Sequence, residues 1–435
     1  MRAREKGLLP QVAALMVSGI SAASTLNAYH PLARRGRPSV AAFAFGTIVS
    51  EVPLQTLGAQ ALGVAAVSRR LPLRTRLLVW LLSGLSWSGL VWLDRVGRRA
   101  NEPLTAALDD GLGTDRRTDS TSLWRRPADQ GGTAKAPGLV RMMRIYRDYA
   151  HDGDIPYGPY GRANRLDIWR RPDLDRDGRA PVLLQVHGGG WVMGNKRGQG
   201  HPLMSHLAEL GWICVSINYR HSPRNTWPDH IVDVKTAIAW VKEHIAEYGG
   251  DPDFIAITGG SAGGHLSALA ALTANNPQFQ PGFEDADTRV QAAIPFYGIY
   301  DFTRNDGRLL HPNNIELLET YVIKQPLADY PESYRAASPI TYVDAEAPPF
   351  FVLHGANDSL VPVEQARTFV ARLRDVSRVP VVYAELPLAQ HGFDILGSAR
   401  AAHAAVAVEQ FLAEIYGSAR AVNQSKAWMT CRATP

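Results

Sequence analysis

The seven residues Thr258, Gly259, Gly260, Ser261, Ala262, Gly263 and Gly264 leave the chain little choice of local structure. An apolar run at 254–257 precedes them, and the helix-forming string 265–272, rich in Leu and Ala, follows. This is a strand, a tight turn and a helix. In a G-x-S-x-G turn of this kind the serine occupies strained backbone that only small neighbours tolerate, and Gly259 and Gly263 supply the smallness. The turn lifts the Ser261 hydroxyl above the end of a sheet. The helix behind it aims free N–H groups and a positive dipole end at the same place, where developing negative charge is stabilised. A glycine-rich turn without chemistry has the same local pattern, so the decision rests on whether a base, an acid and oxyanion donors occur elsewhere in the right order.

Strand-like and helix-like runs alternate around this turn. Strands are expected at 143–149, 165–170, 181–186, 212–219, 290–297, 350–353 and 381–385, and helices at 200–210, 228–248, 363–376 and 399–416. Within 228–248, Ile231, Val234, Ile238, Val241 and Ile245 recur at helical spacing. Such alternation predicts an α/β fold, a doubly wound and mostly parallel sheet with right-handed crossovers. The piece 302–343 interrupts it and is read as part of a cap over the sheet edge. The catalytic domain is placed at 141–420, with a C-terminal tail at 421–435.

Three features answer the question posed by the turn. His187, Gly188, Gly189 and Gly190 follow the strand two before the serine's strand, where glycine lets backbone N–H groups turn toward Ser261. With the Ala262 N–H, Gly188, Gly189 and Gly190 are the candidate oxyanion hole. Asp358 lies just beyond the strand 350–353, on the edge where parallel sheets bind ligands. Asp301 competes with it, and strand order favours Asp358. His391 lies between the last strand and the last helix, and of 13 histidines it satisfies both that loop position and the order Ser, Asp, His. His265 is expected to cap or pack, and His187 to shape the glycine loop. Neither H-e-x-x-H nor a phosphate-cradling G-K-[ST] occurs, so no metal site and no cofactor are expected.

The ends of the chain differ in charge. Up to Arg99 there are 13 basic and 3 acidic residues, a net of +10, whereas the remainder carries 33 against 38, a net of −5. The overall +5 thus belongs to the front segment, and a nucleic-acid partner has little support. Cys214 and Cys431 give neither a disulfide framework nor metal-ligand spacing. Residues 1–99 hold three weakly charged stretches, at 8–28, at 40–67 (broken by Glu51 and Pro53) and at 77–93, the last with Trp80, Trp87 and Trp92 as interfacial anchors. They are read as transmembrane helices, with a cleaved signal peptide over 8–28 and a pair of lid helices as the alternatives. Three spans put the N-terminus in the cytoplasm and the large domain outside, by seven basic residues against six. The polar stretch 100–140 reads as a linker, and everything before Arg99 as dispensable for the chemistry.

From about 148 to 416 the chain resembles the α/β-hydrolases of the hormone-sensitive-lipase-like esterase group. The resemblance rests on His187 to Trp191, on Asn218, Tyr219 and Arg220, on 248–252, on Gly259 to Gly264, on His354 to Asp358, and on His391, Gly392 and Phe393. Within the group it is most similar to membrane-associated, LipM-like Lip carboxylesterases. Gly260 departs from the pattern, since many relatives place an acid before the nucleophile. The resemblance implies hydrolysis of a small-molecule or lipid ester through an acyl-enzyme at a cell membrane. An amidase or formamidase, a catalytically silent ligand-binding receptor and a membrane scaffold are the competing readings. The presence of both Ser261 and His391 speaks against the silent receptor.

Overall fold

The computed structural model describes residues 2–432 apart from 35, 37, 70, 115–146, 148 and 304–308. The front segment folds into four helices: α1 (Arg2–Tyr29), α2 (Pro38–Glu51), α3 (Pro53–Ser68) and α4 (Leu73–Arg98). Pro53 lacks the N–H that would continue the α2 ladder and disfavours helical backbone in the residue before it; Val52 leaves the helical region (φ −129°, ψ 54°) and α2 and α3 meet at 98°, whereas α1 runs on through Pro10. α1 and α4 run parallel: Thr75 reaches Gln11, Ser83 reaches Ser18, Thr25 bonds Ser86 at 2.8 Å, and the Tyr29 hydroxyl donates to the Gly89 carbonyl. α3 returns between them, with Val64 packed on Ala14 and Val79 at one end, and Leu57 against Ala28 and Leu90 at the other.

The bundle is apolar outside and polar within. Met16, Ile20, Leu62, Leu77, Leu81 and Leu85 are exposed while Ser18, Thr25, Ser83 and Ser86 are buried. Two helical stretches, Pro10–Tyr29 and Leu73–Leu112, are long and apolar enough to cross a membrane, and the bent pair α2 and α3 makes a third if counted as one span.

The reading of 100–140 as a linker needs correction at its start. α5 (Asn101–Leu112) buries Leu104, Ala107 and Leu108 in the domain's core. Its only signal in the sequence is a short apolar spacing, which Gly and Asp residues mask. The rest of that stretch, from 115, lies outside the described residues.

Eight strands form one sheet: β1 (Ala150–Pro156), β2 (Arg165–Trp169), β3 (Ala180–Val186), β4 (Ile213–Ile217), β5 (Gly250–Gly260), β6 (Ala292–Phe296), β7 (Phe350–Gly355) and β8 (Val381–Leu386). The order is β1-β2-β4-β3-β5-β6-β7-β8. β2 is antiparallel to both neighbours, and β3 to β8 are parallel. The strand expected at 143–149 lies largely outside the described residues.

Both faces of the sheet are covered, which is why its strands read as continuous apolar runs. Val182, Leu184 and Val186 face one core with α7 (Asp229–His244), α8 (Ala262–Leu272) and α11 (Glu364–Val376), while Leu183 and Cys214 face the other with α6 (His201–Glu209) and α12 (Ala399–Arg432). α12 carries on well past 416, so the expected tail is helical as far as Arg432. Over the sheet's C-terminal edge, α9 (Pro312–Leu317), a π-helical turn and α10 (Pro331–Ala336) form the cap.

Candidate active site

β5 ends at Gly260 and α8 starts at Ala262, leaving Ser261 between them at φ 58°, ψ −121°. A non-glycine residue with positive φ is strained, and the surroundings hold it there. The Ser261 N–H donates to the Phe296 carbonyl at 3.0 Å. A side chain at Gly263 would put its Cβ 2.1 Å from the Val186 oxygen, so the helix packs this close to β3 only with glycine there. Ala262 opens α8, and its N–H is one of the first-turn donors without an intrahelical acceptor.

His391 Nδ1 lies 2.6 Å from Asp358 Oδ2, both side chains buried. The other carboxylate oxygen accepts the N–H groups of Leu360 (2.9 Å) and Val361 (2.8 Å), and His354 Nε2 approaches Oδ2 at 3.2 Å. Burial alone would raise the Asp358 pKa. The attraction of His391 and the hydrogen bonds of His354 and His391 outweigh it and hold the carboxyl well below its usual range. An ionised acceptor sets the imidazole with Nδ1–H toward Asp358 and leaves Nε2 to act as a base. The ring stands between Tyr297 (4.5 Å) and the edge of Phe43 (5.6 Å). Asp301 is elsewhere: its carboxylate accepts the Thr303 N–H and hydroxyl in a local turn.

The glycine loop follows β3. Gly189 has φ 122°, and a Cβ there would meet the Met193 oxygen at 2.1 Å. Gly188 is a correction to the expected donor set, because its N–H is already bound to Gln199 Oε1 at 2.7 Å. The short polar side chain eleven residues downstream gave no sign of this. Gly189 and Gly190 line the same cavity as Ser261.

His187 and His265 are structural, as expected. His187 stacks on Tyr219 at 4.4 Å, and burial lowers its pKa to about 3. His265 accepts from Trp191 Nε1 and meets the Ala337 carbonyl through Nε2, and burial lowers its pKa to about 4. At the departure noted above, a Gly260 Cβ would stand 2.6 Å from the Tyr297 hydroxyl. That hydroxyl donates to Asp394, so a tyrosine held by a distant carboxylate fills the space a side chain at 260 would need.

A cavity of about 480 Å³ contains Ser261, Gly189, Gly190, Tyr297 and His391. Its other walls come from the segment expected to form a cap and from the front segment, where lid helices are the alternative reading. His311, Asn313, Asn314 and Leu317 come from the cap, and Ser39, Val40 and Phe43 from α2. The front segment also holds the loops that carry His391 and Asp358. Thr47 Oγ1 donates to the His391 carbonyl at 2.9 Å, Asn357 donates to the carbonyls of Ala28 and Tyr29 at 2.8 Å each, and the fully buried Glu51 pairs with Arg400 and accepts from Ser398. These contacts weigh against the expectation that residues before Arg99 are dispensable for the chemistry. The signal was present in the sequence as a lone acid in an apolar run, but its partner is 349 positions away.

The sheet order, the strained serine at the β5–α8 turn and the histidine–carboxylate pair define an α/β-hydrolase of the serine-hydrolase type. A family model described as BD-FAE matches residues 166–373. Two similar proteins come from Mycobacterium tuberculosis. The probable carboxylic ester hydrolase LipM is 66% identical over 95% of this chain and 96% of its own, and the esterase LipQ is 50% identical over 88% and 86%. Among solved structures, Thermogutta terrifontis esterase 2 phosphoramylated by tabun aligns with TM-score 0.51 and 26% identity, covering 62% of this chain and 97% of that one. The chain belongs to the LipM-like carboxylesterases, and it is an ester-hydrolysing enzyme.

Proposed function

We propose that Ser261 is the nucleophile, His391 the general base and acid, and Asp358 the residue that orients and charge-stabilises His391. His391 Nε2 takes the Ser261 proton as Oγ attacks the ester carbonyl, and the N–H groups of Gly189, Gly190 and Ala262 receive the oxyanion. Collapse expels the alcohol, protonated by His391. Water, deprotonated by the same nitrogen, then attacks the acyl-enzyme and frees Ser261 with the acid. The observation that carries the assignment is the 2.6 Å contact of His391 and Asp358 beside one cavity shared with the strained Ser261. Ser261→Ala is expected to lower turnover on p-nitrophenyl esters by about a million-fold while the fold persists. An organophosphate triester should label wild type once, on the peptide bearing Ser261, and leave the variant unlabelled. Parental turnover in folded Ser261→Ala protein contradicts the assignment.

The enzyme is, in the same proposal, a membrane protein in which α1, α3 and α4 cross the bilayer. An apolar exterior around buried serines and threonines suits lipid and is costly in water. Because α1 and α4 are parallel, the N-terminus and the hydrolase end up on opposite sides. The far side carries seven basic residues and the hydrolase side six, which puts the hydrolase outside the cytoplasm.

A further inference from the structure

α2 is built the wrong way round for a lid in water. The residues it turns outward, Val40, Ala41, Ala44, Phe45 and Ile48, are all apolar and exposed. Its polar residues Ser39, Thr47, Ser50 and Glu51 are buried, and Ser39, Thr47 and Glu51 bond to the hydrolase. The helix meets α3 at 98°, so with α3 aligned in the bundle α2 lies across its end. It starts after the basic loop containing Arg34 and lies at the end from which α4 leaves through Arg95 and Arg98, where cations meet lipid headgroups. An in-plane helix with one apolar face outward is what a bilayer interface holds.

The same helix walls the catalytic cavity. Phe43 touches the His391 ring edge-on, and Ser39 and Val40 line the space above Ser261. Among the cavity residues, Val40 and Met193 are more than half exposed, at 55% and 65%, and so form its rim. Both are apolar, and Val40 belongs to the outward face of α2. A cavity of this volume lies in the ~300–1,000 Å³ range of sites that enclose small ligands, and its rim continues into the face that meets lipid.

We infer that the substrate is an amphiphilic, long-chain ester drawn laterally from the bilayer, its acyl chain passing over Val40 and Met193 into the cavity while its headgroup stays at the interface. The inference rests on the serine-esterase and membrane readings above and adds the substrate class and its route. Lateral delivery spares the apolar chain a passage through water.

The test uses the full chain in nanodiscs of phosphatidylcholine and phosphatidylglycerol, with p-nitrophenyl acetate and p-nitrophenyl dodecanoate as probes. The dodecanoate rate is expected to follow the ester's mole fraction in the bilayer, and Val40→Trp and Val40→Asp are expected to lower kcat/KM for dodecanoate at least about tenfold more than for acetate. Val40 is exposed, so either side chain fits without repacking a core. A dodecanoate rate set by aqueous ester alone, or an equal loss on both esters, overturns the inference and leaves the serine assignment standing. Hydrolysis that survives Ser261→Ala overturns both.

Discussion

At the scale of single residues, the choice between two aspartates shows what a contact adds to an ordering rule. Asp358 and Asp301 both follow parallel strands, and strand order alone ranks them. In the structure one is held by four hydrogen-bond donors, His391 among them, and the other closes a turn on Thr303. Asp358→Asn is expected to lower kcat about ten-thousand-fold, because an amide that donates toward Nδ1 favours the wrong imidazole tautomer. Asp301→Asn keeps an acceptor for Thr303 and is expected to leave kcat within about tenfold. Steady-state kinetics on a short ester checks both, and the reverse ranking would move the role to Asp301. Gly260 is legible only in the structure: the Tyr297 ring, its hydroxyl bonded to Asp394, occupies the space a side chain there would need.

At the scale of elements, helix existence followed from apolar spacing and helix partners did not. The run 40–67 reads as one stretch broken by Glu51 and Pro53, and the structure divides it at Val52 into α2 and α3. Which of them would sit on the active site depended on Glu51, buried in α2 against Arg400 of α12 and Ser398. Removing one partner of a buried pair strands the other charge, and Glu51→Gln is expected to cost about 3–5 kcal/mol. The cycle of Glu51→Gln, Arg400→Met and the double variant, followed by denaturant unfolding in detergent, should return a coupling above about 1 kcal/mol. A coupling near zero would mean that the pair does not clamp the front segment to the hydrolase. α5 escaped the sequence reading for a related reason, since only three of its residues reach the core and its polar remainder looks like linker.

At the scale of the whole molecule, the bundle is bonded to the sheet domain through Thr47, Asn357 and the Glu51–Arg400 pair. The full chain is expected to stay in membranes through high salt and alkaline carbonate and to leave them only with detergent, because its exposed bundle surface is apolar. In spheroplasts, external protease should remove a C-terminal tag and spare an N-terminal one. Release by salt, or the opposite protection, contradicts the crossing or its orientation.

The sequence by itself determined the parts that depend on local stereochemistry. The β5–α8 elbow needs small residues within a few positions of Ser261, buried parallel strands need continuous apolar runs, and the chain order Ser, Asp, His needs no distances. What only the tertiary structure decided involves residues far apart in the chain. Gln199 removes Gly188 from the expected donor set, Tyr297 fills the space beside Gly260, and α2 closes a cavity whose Ser261 lies more than two hundred residues later. Such contacts leave no periodicity or motif, because the energy that selects them comes from two surfaces meeting after each has formed.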